Sequence, residues 1–351
     1  MDFDREAVVW YDVKRISQKG GQRMNIAEIA RQAGVSNAAV SRYFNNGYLS
    51  EEKKEAIRVV VERTGYRPSL QAQTLRTKKT KLIGVILPKI NSASMGSVVS
   101  GISSVLEEHG YKMLMADTQN NPLKELEYLS VFNKKQVDGI IFLATVFTPE
   151  HRKLLNNLQV PVILVGQRLA DTNCIYHDDY HAARDLTGLV LKRGSKNPGF
   201  ISATLQDKAA GAGRFEGFCD ALRENGMDAL CGQYVVAEFN VLSGYAMAGQ
   251  LLEKFPDLDA IICATDSMAA GARQYLKEKG IDVPGEIMLA GFGDSVLSGV
   301  MSPTLTTVRF SYEESGRLAA SMLMSKLENG TDSPRERMLG YSVIEKESTR
   351  K

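Results

Sequence analysis

No apolar run in this chain is long enough to cross a bilayer. The apolar stretches, such as Leu82 to Pro88 and Gly139 to Ala144, stop far short of the roughly 18 residues a spanning helix needs. No basic-then-apolar segment opens the chain either. It begins Met1-Asp2-Phe3-Asp4, so the expectation is a cytoplasmic protein with no membrane partner. The four cysteines, Cys174, Cys219, Cys231 and Cys263, stand singly with no CxxC pair. Buried free thiols in a reducing compartment account for them. Of the four histidines only His177 and His181 lie close, flanking Asp178 and Asp179. Zinc needs three or four converging ligands, and no metal site is read from this pair. There is no Walker lysine motif and no GxSxG elbow. The glycines of Gly211 to Gly217 have the wrong spacing for GxGxxG and do not directly follow a strand. No nucleophile–base pair assembles, so the chain is read as a non-enzyme without cofactor.

Net charge is also nearly absent, at +2, but its distribution is uneven. Met24 to Lys81 carries 11 Lys and Arg against 5 acids, a surplus of six. The residues after Lys81 carry a deficit of about five. A basic head on a mildly acidic body suggests that only the head meets a polyanion; a solvated basic helix is the bland alternative. With 351 residues, 44% hydrophobic and 24% charged, the chain is an ordinary globular protein of two or three domains.

The head reads as three short helices. Asn25 caps Ile26–Ala33, with Glu28 at the third helical position. Gly34 ends that helix. Ser36 caps Asn37–Phe44, whose buried side is Val40, Tyr43 and Phe44. Ser50 caps Glu51–Thr64, with an apolar stripe of Ala56, Ile57, Val60 and Val61. Helix, glycine turn, short helix is the helix-turn-helix arrangement. The second helix turns Asn37, Ala38, Ser41 and Arg42 outward. Small and polar outward residues suit a major groove, and Arg42 can take a guanine edge in a bidentate contact. Any three-helix miniature domain remains the competing reading.

The string from Met24 to Gly47 resembles the N-terminus of the lac repressor (LacI/GalR) family of bacterial transcription regulators. The matching residues are Ile29, Ala30, Ala33, Gly34, Val35, Ser36, Val40, Ser41, Arg42 and Asn45. Glu28 replaces the usual aspartate and Ala39 the usual threonine. The resemblance implies that Asn37, Ala38 and Arg42 read bases, and that Ser36, Ser41, Tyr43 and Asn45 complete the DNA-facing set.

Residues 68–81 form the linker. Ser69 after Pro68 could cap a two-turn helix, which is marginal in water; a disordered basic tether is the alternative. The segment resembles the family's hinge helix. That resemblance implies minor-groove entry, with Leu75 as an apolar wedge and Ala72 and Gln73 beside it.

From Leu82 the pattern becomes strand–helix alternation, which predicts parallel sheets flanked by helices. About 270 residues is large for one core, so two lobes are expected. Such sheets bind ligands at the carboxyl ends of their strands. Candidates there are Lys89 to Ser94, Asp117, Thr145, Gln167, Tyr176 and Asp178, and in the second half Asp207, Arg214, Phe239, Asp266 and the Gly291-Phe292-Gly293-Asp294 turn. Donors, acceptors and flat apolar faces together suit a sugar. For Asp266 the competing role is capping a helix that begins at Ser267.

The body resembles the same family along essentially its full length. Asp207 to Phe218, Ala264 to Gly271, Ala290 to Asp294 and Pro303 to Val308 match its motifs. Gln167 to Ala183 is most similar to its sucrose-type members. The resemblance implies a periplasmic-binding-protein-like body of two lobes, with Arg214 gripping effector hydroxyls. Gly293 replaces an aspartate that contacts effector, and Asn91 to Met95 departs from the usual N-P-F-F. The expected function is a homodimeric repressor of a carbohydrate-use operon. It holds a near-palindromic operator and is released by a small sugar. A protein or phosphosugar corepressor, a sugar-binding transport component and an enzyme with a DNA-binding head are the rivals.

The expected domains are 1–23, 24–67, 68–81 and 82–351. Lys19-Gly20-Gly21 can be encoded by a purine run resembling a ribosome-binding site. Met24 is therefore read as the true initiator, with a flexible N-terminal arm as the alternative.

Overall fold

The computed structural model describes residues 24–45, 47–66, 79–134, 136–330 and 336–350. The chain divides into two compact units, 1–79 and 80–351.

In the first unit, α1 (Ile26–Ala33), α2 (Asn37–Phe44) and α3 (Glu51–Thr64) enclose a small core. Ile29, Ala30, Ala39, Val40, Ile57 and Val60 are buried there. The caps follow the local chemistry. The Glu28 amide donates to Asn25 Oδ1 at 2.9 Å, and the Ala39 amide donates to Ser36 Oγ at 3.2 Å. Gly34 stands at φ 66°, a left-handed position that ends α1 without a Cβ penalty. The Glu28 carboxylate receives Arg31 at 2.5 Å and Gln32 at 2.7 Å. One expectation fails in part. Ser50 makes no side-chain cap.

In the second unit, the first sheet holds β1 (Leu82–Leu87), β2 (Lys112–Asp117), β3 (Gly139–Leu143), β4 (Val162–Val165), β5 (Cys174–His177) and β11 (Glu336–Leu339). The order is β11-β5-β4-β3-β1-β2, and every pairing is parallel. The second sheet holds β6 (Pro198–Ser202), β7 (Tyr234–Val236), β8 (Ala260–Cys263), β9 (Met288–Phe292), β10 (Thr306–Phe310) and β12 (Tyr341–Ile344). Its order is β12-β10-β9-β8-β6-β7, with β12 antiparallel to β10. The near-continuous apolar runs of β1, β3 and β8 are what strands covered on both faces require.

The helices covering the first sheet include α4 (Ala93–Glu108), α5 (Pro122–Asn133), α6 (Pro149–Leu155) and the late α12 (Tyr312–Asn329). Those covering the second include α7 (Asp179–Lys192), α8 (Arg214–Glu224), α9 (Val241–Lys254) and α10 (Asp266–Glu278). The short α11 (Val296–Val300) follows β9. The chain therefore passes between lobes three times: at Asp178, at Ser311 and at Gly340. The Asp178 amide donates to the Leu339 carbonyl at 3.0 Å, tying two of these crossings together.

The cysteine expectation fails in part. Cys174 and Cys263 are buried free thiols, but Cys219 and Cys231 form a disulfide with Cα atoms 5.1 Å apart. Among the described residues no helix is long and apolar enough to cross a membrane, and no metal-ligating cluster forms.

Candidate functional site

The strand ends of both lobes meet at a cavity of about 370 Å³. The first lobe lines it with Ser92 and Ser94 at the start of α4, Thr145 after β3, Gln167 after β4 and His177 at the end of β5. The second lobe adds Asp179, Asp207, Arg214, Phe239, Asp266, Phe292 and Asp294. Tyr312 and Ser315 come from the start of α12.

Arg214 is buried at the centre of this wall. Its Nε donates to Asp179 Oδ1 at 2.7 Å, Nη2 reaches the same oxygen at 2.7 Å, and Nη1 donates to the Ala264 carbonyl. The guanidinium lies 4.7 Å from the Phe292 ring centre and 5.0 Å from that of Phe310. Burial lowers its pKa, but the charge and hydrogen bond of Asp179, with Tyr312 and Asp207, together outweigh burial and the net shift is upward. Asp207 Oδ1 accepts from Gln167 Nε2 at 2.7 Å and from the Ala209 and Ala210 amides at 2.9 Å each. Burial still raises its pKa, against those bonds.

Asp266 is buried and does not cap its helix. α10 begins at Asp266 itself, and Thr265 is the cap. Its carboxylate is a strut instead. Oδ1 accepts from Thr307 Oγ1 at 2.5 Å, and Oδ2 accepts from the Ser295 amide at 2.7 Å. Asp294 also lines the cavity with both oxygens committed, to Lys346 Nζ at 2.8 Å and Arg309 Nε at 2.7 Å. Burial raises its pKa, but these two cations outweigh burial and hold it below the usual value.

Tyr176, Asp178 and Asp117, candidates read from the sequence, do not line the cavity. Tyr176 packs outward into the cluster around Leu129 and Phe142. Asp178 caps α7 by accepting from the His181 amide at 3.2 Å, and lies 2.8 Å from the His181 ring Nδ1. Their neighbours His177 and Asp179 occupy the wall instead. Side chains alternate faces along a strand, so a slip of one residue selects the wrong face. Asp117 is likewise outside, with Oδ1 accepting from the Gln119 amide. Ser94, Gln167 and Phe239 do line the cavity. Tyr312 and Ser315 lie just past the carboxyl end of β10, a strand that the alternation read from the sequence does not include.

In the head, Asn37, Ala38 and Arg42 are exposed on α2. Ser36 is exposed and holds the α2 cap. Ser41 and Tyr43 are half-buried, Tyr43 with its ring 5.3 Å from Phe44. Asn45 is exposed and its amide donates to the Ser41 carbonyl. Ala72, Gln73 and Leu75 lie outside the described residues.

The family model for bacterial regulatory proteins of the lacI family matches residues 25–69. A periplasmic binding protein-like domain matches residues 188–349. The chain is 32% identical over 305 residues to the sucrose operon repressor of Staphylococcus xylosus, covering 87% of this chain and 94% of that protein. It is 32% identical over 312 residues to catabolite control protein A of Priestia megaterium, covering 88% and 94%. The lac repressor dimer bound to operator and the anti-inducer ONPF shares the fold at a TM-score of 0.84 and 20% identity, over 93% of this chain and 99% of that one. With relatives this similar over almost their whole length, and with head and body both in place, the chain belongs to the lacI family of bacterial regulatory proteins.

Proposed function

We propose that this chain represses a carbohydrate-utilisation operon. Two copies hold a near-palindromic operator, and a small uncharged sugar in the cavity releases them. One observation carries the reading. A head that exposes Asn37, Ala38 and Arg42 on a short helix shares a chain with a polar, aromatic-walled cavity between two lobes. The first is a means of reading base edges; the second is a means of holding a hydroxylated ligand. The relatives' roles as a sucrose operon repressor and a catabolite control protein support the same reading.

Several observations support the pairing of two copies. Leu114 and Met115 are 42% and 47% exposed on β2, an edge strand. In the other lobe Leu242, Val296 and Val300 are 83%, 79% and 71% exposed. Apolar surface of this kind is what an interface between copies buries, and two-fold symmetry then sets two half-sites.

Arg214, Asp266, Phe239, Gln167, Ser94 and Asp294 form the effector-facing set in this reading, with Arg214 and Phe239 offering a cation and an apolar face to a sugar ring. The test is selection of operator sequences from random DNA, followed by release with single sugars. A palindromic site released by one sugar supports the proposal. Binding without sequence preference contradicts it.

A further inference from the structure

The Cys219–Cys231 bond fastens a surface turn to the helix that Arg214 opens. Cys219 lies on α8, and Cys231 lies in the short turn Asp228–Gly232 between α8 and β7. Their Cα atoms are 5.1 Å apart, within the span of about 4.4–6.8 Å that a disulfide bridges. The turn's other ties to α8 are weaker. Arg223 Nε donates to Asp228 Oδ1 at 2.8 Å, an exposed ion pair of the kind that contributes little. The Met227 amide donates to the Leu222 carbonyl at 2.9 Å. The turn also reaches towards the cavity wall. Tyr234 begins β7 just after it, and its ring lies 4.4 Å from that of Phe215, the neighbour of Arg214. The four cysteines divide by environment. Cys174 and Cys263 are buried on strands, and burial pushes both thiols up, which keeps them protonated and unreactive. Cys231 is half-buried, in a turn that exposes Asp228, Ala229 and Gly232.

We propose that Cys219 and Cys231 form a reversible thiol–disulfide switch that sets how firmly α8 holds Arg214 in the cavity wall. The proposal rests on the repressor reading above. Such a protein works beside bacterial DNA, where the thiol pool leaves disulfides mostly to transient and redox-sensing roles. The reductant is a small thiol of the glutathione class. Its thiolate attacks Cys231 Sγ, the S–S bond breaks, and Cys219 leaves as a thiolate that takes up the proton the small thiol released. A second thiolate then attacks the small-molecule sulfur of the mixed disulfide, and Cys231 leaves and is protonated in the same way. Two small thiols lose two electrons and two protons and become one disulfide; the protein gains both. Oxidation by the small disulfide runs the same steps backwards. Once the bond opens, α8 keeps its ties to α7, where Tyr180 Oη donates to Asp220 Oδ2 at 2.6 Å and Arg184 Nε to Glu224 Oε1 at 2.9 Å. It loses the covalent one to the turn.

Two measurements on the full chain test this. The folded protein is equilibrated with mixtures of reduced and oxidised glutathione, alkylated, and its thiols located by mass spectrometry. The 219–231 bond should open and close across these mixtures, while Cys174 and Cys263 stay reduced. A bond that never forms, or one that reduced glutathione cannot open without denaturant, overturns the proposal. Hydrogen exchange then compares the two states, since it reports local opening. Reduction should speed exchange by about tenfold in Asp228–Gly232 and also in the first turn of α8 at Arg214. Acceleration confined to Asp228–Gly232 overturns the proposal, because the switch then stops short of Arg214. The double variant Cys219→Ser, Cys231→Ser should exchange like the reduced protein in every mixture, and Cys231→Ser alone serves if the double variant does not fold. A variant that exchanges like the oxidised protein overturns the proposal. Neither measurement needs operator or sugar, so both decide the switch even if selection from random DNA yields no operator and the repressor reading fails.

Discussion

Asp179, the first residue of α7, accepts two hydrogen-bonding nitrogens of Arg214, the first residue of α8, both at 2.7 Å. Both side chains are buried in the cavity wall. Breaking a buried ion pair by removing one partner leaves an uncompensated charge, typically at a cost of about 3–5 kcal/mol. Asp179→Ala should therefore lower stability by about that much in denaturant titration, and should weaken effector binding by letting the Arg214 fork turn. A loss under about 1 kcal/mol would mean that the pair is no structural clasp.

Asp207 should make stability depend on pH. Its folded pKa is raised above the ordinary 3.8 by burial. The unfolded state then releases its proton first, so stability falls as pH climbs from 3.8 through the raised value and stays lower above it. Asp207→Asn keeps an oxygen for Gln167, Ala209 and Ala210 but carries no charge. The variant's melting temperature should gain on the wild type between pH 4 and pH 7. A difference that does not change with pH would contradict the assignment.

The cavity wall marks how far sequence pattern reaches. Arg214, Asp266 and Phe239 are legible because each opens or precedes an element whose boundaries glycines, prolines and apolar runs announce. Pattern alone points to Tyr176 and Asp178 where His177 and Asp179 belong, because β5 is only four residues long. A strand that short gives too little alternation to fix which face is inward. The partners of Asp294 are hidden for another reason. Arg309 and Lys346 lie 15 and 52 residues further along, and only the antiparallel return of β12 brings Lys346 back. The Cys219–Cys231 bond is equally illegible, because a spacing of 12 spans a helix and a turn, which spacing alone does not fold back.

That bond predicts a thiol count. Denatured without reductant, the protein should show two reactive thiols, Cys174 and Cys263, and four after reduction. Closing a loop of this size typically contributes about 2–3 kcal/mol, so reduction should also lower the melting temperature. Four thiols before reduction would show that the pair is open.

In the head, Arg42 is exposed on α2, and the proposed function makes it a base contact. Arg42→Ala should relax preference at one base pair by about 1–3 kcal/mol while leaving other positions unchanged. Competition against single-base operator variants reads this directly. A uniform loss across all sequences would instead mark Arg42 as a phosphate contact.

In the proposed function one chain couples a sugar site to a DNA site. Linkage makes that coupling reciprocal: if sugar weakens operator binding by some factor, operator must weaken sugar binding by the same factor. The most direct test is calorimetric titration of the releasing sugar into free protein and into protein saturated with operator. Sugar should bind more weakly on operator, by the factor measured for DNA release. Equal sugar affinity in the two titrations would contradict the coupling.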